Sequence, residues 1–245
     1  MFLHYRTQGI ILKKEDRGEA DQLFTIYTKD FGKLEILGKA IRKIASKLRS
    51  GADIFYLSEI EFIQGKTYKI LTDAILVKKF ENLRPKPSSQ PANLERLKIA
   101  YKISEVLDRL IKGQEPDQKI WQLLTETLDK LNNLSFDISH LLLVYYYFLW
   151  NLLSILGHQP ELYNCPLCQK KLTPERLYFS PKEGGVICQQ CQRLTKSAKK
   201  ITPDLVKILR VFLKRDWSIL NRLKIEAQDL NLLKKISNYF LDNVQ

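Results

Sequence analysis

Gln22-Leu23-Phe24-Thr25-Ile26-Tyr27-Thr28-Lys29-Asp30-Phe31-Gly32-Lys33-Leu34-Glu35-Ile36-Leu37 is the stretch on which the fold of the N-terminal part turns. Apolar, aromatic and β-branched residues fill Gln22 to Thr28. Lys29-Asp30-Phe31-Gly32 supplies a turn with glycine where a positive φ is wanted, and Lys33 to Leu37 runs back in partial alternation, so the stretch predicts a β-hairpin. Working outward, Gly9-Ile10-Ile11-Leu12 opens a strand before it. Ile54 to Ile63 and Tyr68 to Val77, joined at Gln64-Gly65, read as two strands after it. Five strands with no room for crossover helices predict a small antiparallel barrel over residues 1–81. An OB-fold, an SH3-like barrel and a plain meander all meet that description, and five strands favour the OB-fold.

Asn82-Leu83-Arg84-Pro85-Lys86-Pro87-Ser88-Ser89-Gln90-Pro91 is linker-like in composition, which places a boundary over 82–92. Helical periodicity governs the rest, residues 93–245. Asn93 is a candidate cap for a helix with the stripe Leu97, Ala100, Ile103, Leu107, Leu110 and Ile111, stopped by Gly113 to Pro116. A second helix carries Trp121, Leu124, Leu128 and Leu131, and a third, Ile138 to Leu156, closes at Gly157. Short turns between them predict a bundle with the third helix inside. The apolar run Leu141 to Leu156 is too short for a membrane span and contains Tyr145, Tyr146, Tyr147, Asn151 and Ser154, so it reads as a buried helix. Thr202-Pro203-Asp204 is a helix start with a capping threonine, and a last helix shows Leu230, Leu233, Ile236 and Phe240. The expected class is α+β and multidomain: a five-stranded OB-type barrel, then a mostly helical domain with an inserted four-cysteine zinc finger over 162–196.

That finger rests on Cys165-Pro166-Leu167-Cys168 and Cys188-Gln189-Gln190-Cys191, which hold all four cysteines of the chain. Two CxxC knuckles separated by nineteen residues fall within zinc-ribbon spacing, and four thiolates complete a tetrahedral site with no position left for substrate. Tyr178 to Ile187 reads as a hairpin that delivers the second knuckle. Two disulfides, a redox dithiol and an iron–sulfur cluster compete with one structural zinc ion, and zinc is favoured. A closed site of this kind explains why the segment folds and leaves function open. His140 and His158 flank the third helix and are read as surface or packing histidines.

The formal net charge is +13, which makes a polyanion the first partner to consider. Lys39, Arg42, Lys43, Lys47 and Arg49 interrupt the third and fourth strands, and with Lys33 they face only Glu35 over positions 33–49. Ile41, Ile44 and Leu48 would be the buried side of a short helix there. Tyr27, Phe31, Phe55, Tyr56, Phe62 and Tyr68 are candidate stacking platforms, each more simply read as core. A second cluster holds Arg193, Lys196, Lys199, Lys200, Lys207 and Arg210. A solvated basic surface is the plain alternative for both. No Walker loop, nucleophile elbow or carboxylate cluster appears, so the chain reads as a non-enzyme, and a nuclease is a distant third possibility. Met1 to Arg6 lacks a signal peptide's apolar run, and with CxxC thiols this predicts a cytoplasmic protein, nucleoid-associated if its partner is DNA.

Several segments in order resemble the RecO family of bacterial recombination mediators. They are Thr7-Gln8-Gly9-Ile10-Ile11-Leu12, Gly18-Glu19-Ala20-Asp21, Tyr27-Thr28, Gly32-Lys33 and Gly38-Lys39-Ala40-Ile41-Arg42 in the barrel region. Leu156-Gly157-His158-Gln159-Pro160-Glu161-Leu162 leads into the first knuckle, and Phe179-Ser180-Pro181-Lys182-Glu183-Gly184-Gly185-Val186 into the second. The resemblance spans nearly the whole chain and is to the zinc-bearing kind. It implies binding to single- and double-stranded DNA, annealing of complementary strands, and partnership with RecR. Together the two would load RecA onto DNA coated by single-strand-binding protein. An adaptor whose basic surface binds acidic tails of single-strand-binding protein, with little DNA binding of its own, is the competing reading. The family carries no DNA contacts onto these residues, so Lys39, Arg42, Lys43, Lys47 and Arg49 are DNA-binding candidates on charge alone. Arg193, Lys199, Lys200, Lys207 and Arg210 come second on the same ground.

Overall fold

A computed structural model describes residues 3–83, 91–133, 138–195, 197–220 and 222–244. Most of the expected linker, Arg84 to Gln90, and the candidate Lys196 lie outside the described residues. Two compact units emerge, 1–141 and 142–245.

In the first unit, β1 (His4–Arg17), β2 (Asp21–Thr28), β3 (Gly32–Gly38), β4 (Tyr56–Gln64) and β5 (Lys69–Lys79) form a ring in the order β1-β2-β3-β5-β4. β1 closes it by pairing antiparallel with both β2 and β4, and β3 meets β5 in parallel at Ile36–Lys69 and Leu37–Ile70. One long strand can serve two neighbours because its register with β2 shifts between Ile11 and Lys13, an irregularity that bends a strand and raises its twist. Alternation along β3 and β4 sends Leu34, Ile36, Ile60 and Phe62 inward to Ile11, Phe24, Ile26 and Leu71, as a period of two requires. Gly32 sits at φ +63 in the hairpin turn, and a Cβ there would come 2.4 Å from the Glu115 carbonyl oxygen. Glycine is required on both grounds.

α1 (Pro91–Leu110) and α2 (Gln118–Asn133) belong to this same unit. The expected bundle grouped them with the third helix; the structure seats them on the barrel instead. The buried Ser104 hydroxyl donates to the Leu12 carbonyl (2.7 Å), Lys33 Nζ donates to the Asp108 carbonyl and carboxylate (2.8 Å each), and Lys78 pairs with Asp129. A backbone carbonyl of β1 and outward-pointing lysines of β3 and β5 thus take partners on the helices. α1 begins at Pro91, so Asn93 lies inside its first turn rather than capping it.

The second unit begins within α3 (Ile138–Ile155) and is built on its body from Leu142 on, which is almost wholly buried. No described helix is long and apolar enough to cross a membrane. Beyond α3 come β6 (Leu177–Ser180), β7 (Gly185–Cys188), the single-turn α4 (Gln189–Gln192) and β8 (Lys199–Ile201), with the sheet ordered β7-β6-β8. Then follow α5 (Pro203–Leu213), the short α6 (Trp217–Leu220) and α7 (Ala227–Asn243). Thr202 caps α5 by accepting the Leu205 amide at 3.1 Å. Trp150 of α3 meets Phe179 of β6 edge-on and Phe240 of α7 at a tilt (ring centroids 5.6 and 4.9 Å), and its indole N–H donates to the buried Ser237 hydroxyl at 2.9 Å. This satisfied aromatic cluster ties the β6–β7 hairpin to the helices.

Candidate metal centre and cationic surface

All four thiols converge, with every sulfur within 4.8 Å of the others and none in a disulfide. The first knuckle is a tight turn: the Cys165 amide donates to the Lys170 carbonyl, the Gln169 amide donates to the Cys165 carbonyl (both 2.8 Å), and Gln169 turns the chain at φ +60. The second forms where β7 ends at Cys188 and α4 carries Cys191. Cys168 and Cys188 come from different knuckles, and their sulfurs are 3.9 Å apart. Four thiolates each about 2.3 Å from one ion would be roughly 3.8 Å apart, whereas a disulfide brings its sulfurs to about 2.05 Å. The donor set fits one tetrahedral ion. Burial acts to raise the Cys165 thiol, but backbone amides of Cys188, Cys168 and Leu167 aimed at the sulfur bring it down to about 7. Burial, joined by the neighbouring thiols, pushes Cys191 up to about 12.

The hairpin that presents the second knuckle is locked to the chain entering the first. Glu161 N donates to the Gly184 carbonyl (2.8 Å), Val186 N donates to the Glu161 carbonyl (2.9 Å), and a Cβ on Gly185 would lie 2.2 Å from that carbonyl oxygen. The Glu161 carboxylate accepts the Tyr163 and Asn164 amides at 2.7 and 3.0 Å, and these hold it below the usual carboxylate range. Neither His140 nor His158 is among the clustered residues.

The cationic segment after β3 is not a helix. Ile41 is buried, Leu48 half-buried and Ile44 95% exposed, and the only regular element is a short 3-10 turn, Lys47–Ser50. The loop is instead pinned at both ends. At its start the Ala40 amide donates to the Asp21 carboxylate (2.7 Å) with Ala40 at φ +52, and the Arg42 amide donates to the Ala20 carbonyl (3.0 Å). At its end the buried Phe55 turns at φ +55 while its amide donates to the Ile11 carbonyl at 2.9 Å. Two non-glycine residues held in the left-handed region mark a conformation over-determined by its surroundings. Gly51 fits because its Cα lies against β5, where a Cβ would come 1.9 Å from the Ala74 carbonyl oxygen.

On that fixed loop, Lys39, Arg42, Lys43, Lys47 and Arg49 are all exposed. Arg42 reaches Asp16 (3.3 Å) and the Gly18 carbonyl (3.4 Å). The side chains of Lys39, Lys43, Lys47 and Arg49 have no acidic partner among the described residues. A cavity of about 280 Å³ opens beside them, walled by Lys14, Gln22, Arg42, Arg49 and Asp53.

The second basic cluster divides by use. Arg193 and Lys200 are exposed, while Lys199 lies over the Tyr239 ring at 3.9 Å and Lys207 pairs with Asp204 at 2.8 Å. Arg210 donates twice to the Leu162 carbonyl (3.1 and 2.5 Å) and stacks on Tyr163 at 4.5 Å, so its guanidinium clamps the first knuckle's approach to α5. Among the suggested stacking platforms, Tyr27, Phe55, Tyr56 and Phe62 are core residues, and Phe31 packs against Tyr5 and Phe62. Two residues beside the loop escaped the sequence reading. Lys14 sits beyond the β1 register shift, and Tyr101 is a 43% exposed ring on α1 off the apolar stripe. An aromatic interrupting the polar face of a helix was the available signal for Tyr101.

Comparisons with known proteins agree along the chain. A family model for the recombination protein O N terminal matches residues 1–80, and one for the recombination protein O C terminal matches 91–244. The chain is similar to a DNA repair protein RecO of Dehalococcoides mccartyi (strain 195), with 32% identity over 230 residues, covering 94% of this chain and 86% of that one. A DNA repair protein RecO of Moorella thermoacetica is 31% identical, covering 97% of this chain and 85% of its own length. One from Caldanaerobacter subterraneus is 29% identical, covering 90% and 84%.

Proposed function

The chain belongs to the RecO family and so to DNA repair, and on that premise we propose that it is a non-enzymatic, DNA-binding recombination mediator. It binds single- and double-stranded DNA, anneals complementary strands and, with RecR, helps load RecA onto DNA coated by single-strand-binding protein, in the cytoplasm at the nucleoid. The observation that carries this reading is the pinned loop with four exposed cations that lack acidic partners among the described residues. Fixed, uncompensated cations lower the repulsion between two phosphate backbones without any catalysis, by releasing the counterions the strands had condensed. Lys39, Arg42, Lys43, Lys47 and Arg49 supply the principal contacts. Arg193, Lys199, Lys200 and Lys207 supply a second set, and Arg210 acts by holding the knuckle.

Cys165, Cys168, Cys188 and Cys191 hold one structural zinc ion. With four protein ligands the site is closed, and its role is to fasten the β6–β7 hairpin and the basic residues that follow it.

The test is annealing of two complementary oligonucleotides, one precoated with single-strand-binding protein, at stepped salt and without nucleotide. Annealing that weakens as salt rises is the expected result. No annealing at low salt, together with tight binding to the coating protein, would replace this reading with that of a passive adaptor.

A further inference from the structure

The cavity beside the cationic loop shares Lys14 with a second, larger hollow in the same unit. That groove, about 720 Å³, lies between β1 and α1. Its apolar lining comes from Leu12, Ile54 and Tyr101, and Lys13, Lys14 and Arg109 stand around it. Two acids also line it, Glu105 and Asp108, but the Asp108 carboxylate is taken by Lys33 at 2.8 Å. By the same reckoning Lys13 is shared with Glu15 and Lys14 with Asp53, so the groove is mixed in charge with an apolar floor.

Tyr101 is the distinctive element. Its ring meets Phe55 edge-to-face with centroids 5.2 Å apart, and Phe55 is the buried left-handed residue that terminates the cationic loop. Nearly half of Tyr101 stays open to solvent. One residue thus fixes both the end of the loop and the seat of an exposed aromatic.

We infer that this groove receives unpaired bases of a single strand whose phosphates follow the cationic loop, with Tyr101 as the stacking platform. This deepens the proposed DNA-binding function and rests on it. Three features select the occupant. Charge favours a polyanion along the loop, where Lys39, Lys43, Lys47 and Arg49 have no acidic partner among the described residues. The path alternates in character: beside Arg42 and Arg49 it offers cations and polar groups, and beside Tyr101 it offers a flat apolar surface. A chain carrying charge at regular intervals and flat apolar groups to one side matches that alternation. An open ring accepts a base only when the base is unpaired, because duplex bases are already stacked on each other. A single strand is therefore preferred to a duplex at this point.

Anisotropy of a fluorescein-labelled oligothymidylate, and of a blunt duplex of equal length, tests this on the full chain. Tyr101→Leu keeps an apolar cover over Phe55 but offers no π face, and Tyr101→Trp keeps the face. Tyr101→Leu is expected to weaken oligothymidylate binding about 5- to 160-fold, the range for loss of one base–aromatic stack. Duplex affinity and the salt slope should stay unchanged, and Tyr101→Trp should bind at least as well as the parent. A strand carrying 5-iodouracil should crosslink to Tyr101 on irradiation. Unchanged single-strand affinity in Tyr101→Leu, while glutamine at Lys43, Lys47 and Arg49 abolishes binding, would overturn the groove and leave the DNA reading standing. Unchanged affinity in both variants would overturn both. If Tyr101→Leu spares DNA but loses binding to an acidic peptide carrying one phenylalanine, the groove is a protein-docking site and the inference fails.

Discussion

Replacing Lys39, Lys43, Lys47 and Arg49 together with glutamine isolates the four loop cations that have no acidic partner among the described residues. Each phosphate neutralised on a single strand contributes about 0.7 to the negative slope of log affinity against log salt, so the four account for about 2.8. Between 50 and 200 mM salt the logarithm changes by about 0.6, which makes the four contacts responsible for roughly a fifty-fold loss of affinity over that interval. The variant should show a slope flatter by about that amount, and its deficit should be greatest at low salt. Arg42→Gln should flatten the slope less than Arg49→Gln, because Arg42 is already shared with Asp16 and the Gly18 carbonyl. All these side chains are exposed, so stability should stay within about 0.5 kcal/mol of the parent and thermal melting serves as the control. Anisotropy titrations on three single strands of equal length and different sequence provide the measurement. A parallel slope for parent and variant, or a loss confined to one sequence, would refute the phosphate-binding assignment.

Other outcomes follow from the second unit. Cys168→Ser should lower bound zinc, measured by elemental analysis, and the melting temperature together, since three thiolates leave one knuckle untied; full metal content with unaltered melting would contradict the assignment. Gly185→Ala should destabilise by more than about 2 kcal/mol, because the added methyl meets a backbone oxygen at 2.2 Å and no side chain can give way; denaturant titration checks this. Glu161 has a folded pKa below its ordinary 4.5, so the stability it adds is fully present above that value and is lost as pH falls through the lowered folded value. Parent and Glu161→Gln should accordingly differ in melting at neutral pH and converge on acidification, and a difference that grows with acid would reverse the assignment.

Local chemistry carried the parts of this protein that depend on neighbours in sequence. A β-branched and aromatic run before the Lys29–Gly32 turn and partial alternation after it were enough for the hairpin, and CxxC spacing was enough for the cysteine cluster, because a knuckle closes within its own turn. The buried α3 was legible from its unbroken apolar run, and the start of α5 from Thr202-Pro203. Tertiary structure decided matters set by partners remote along the chain. Whether Arg210 reaches DNA or clamps a backbone depends on where Leu162 lies, forty-eight positions earlier. Ile44 is exposed because Asp21, Ala20 and Ile11 hold the loop in a non-helical shape, which no periodicity within 39–55 encodes. α1 and α2 join the barrel because Ser104, Asp108 and Asp129 find partners on β1, β3 and β5. Sequence by itself determined the five barrel strands, the long helices and where thiols and cations concentrate. Only the fold decided which cations remain uncompensated and which aromatic stays open, since both depend on what distant segments bring into contact.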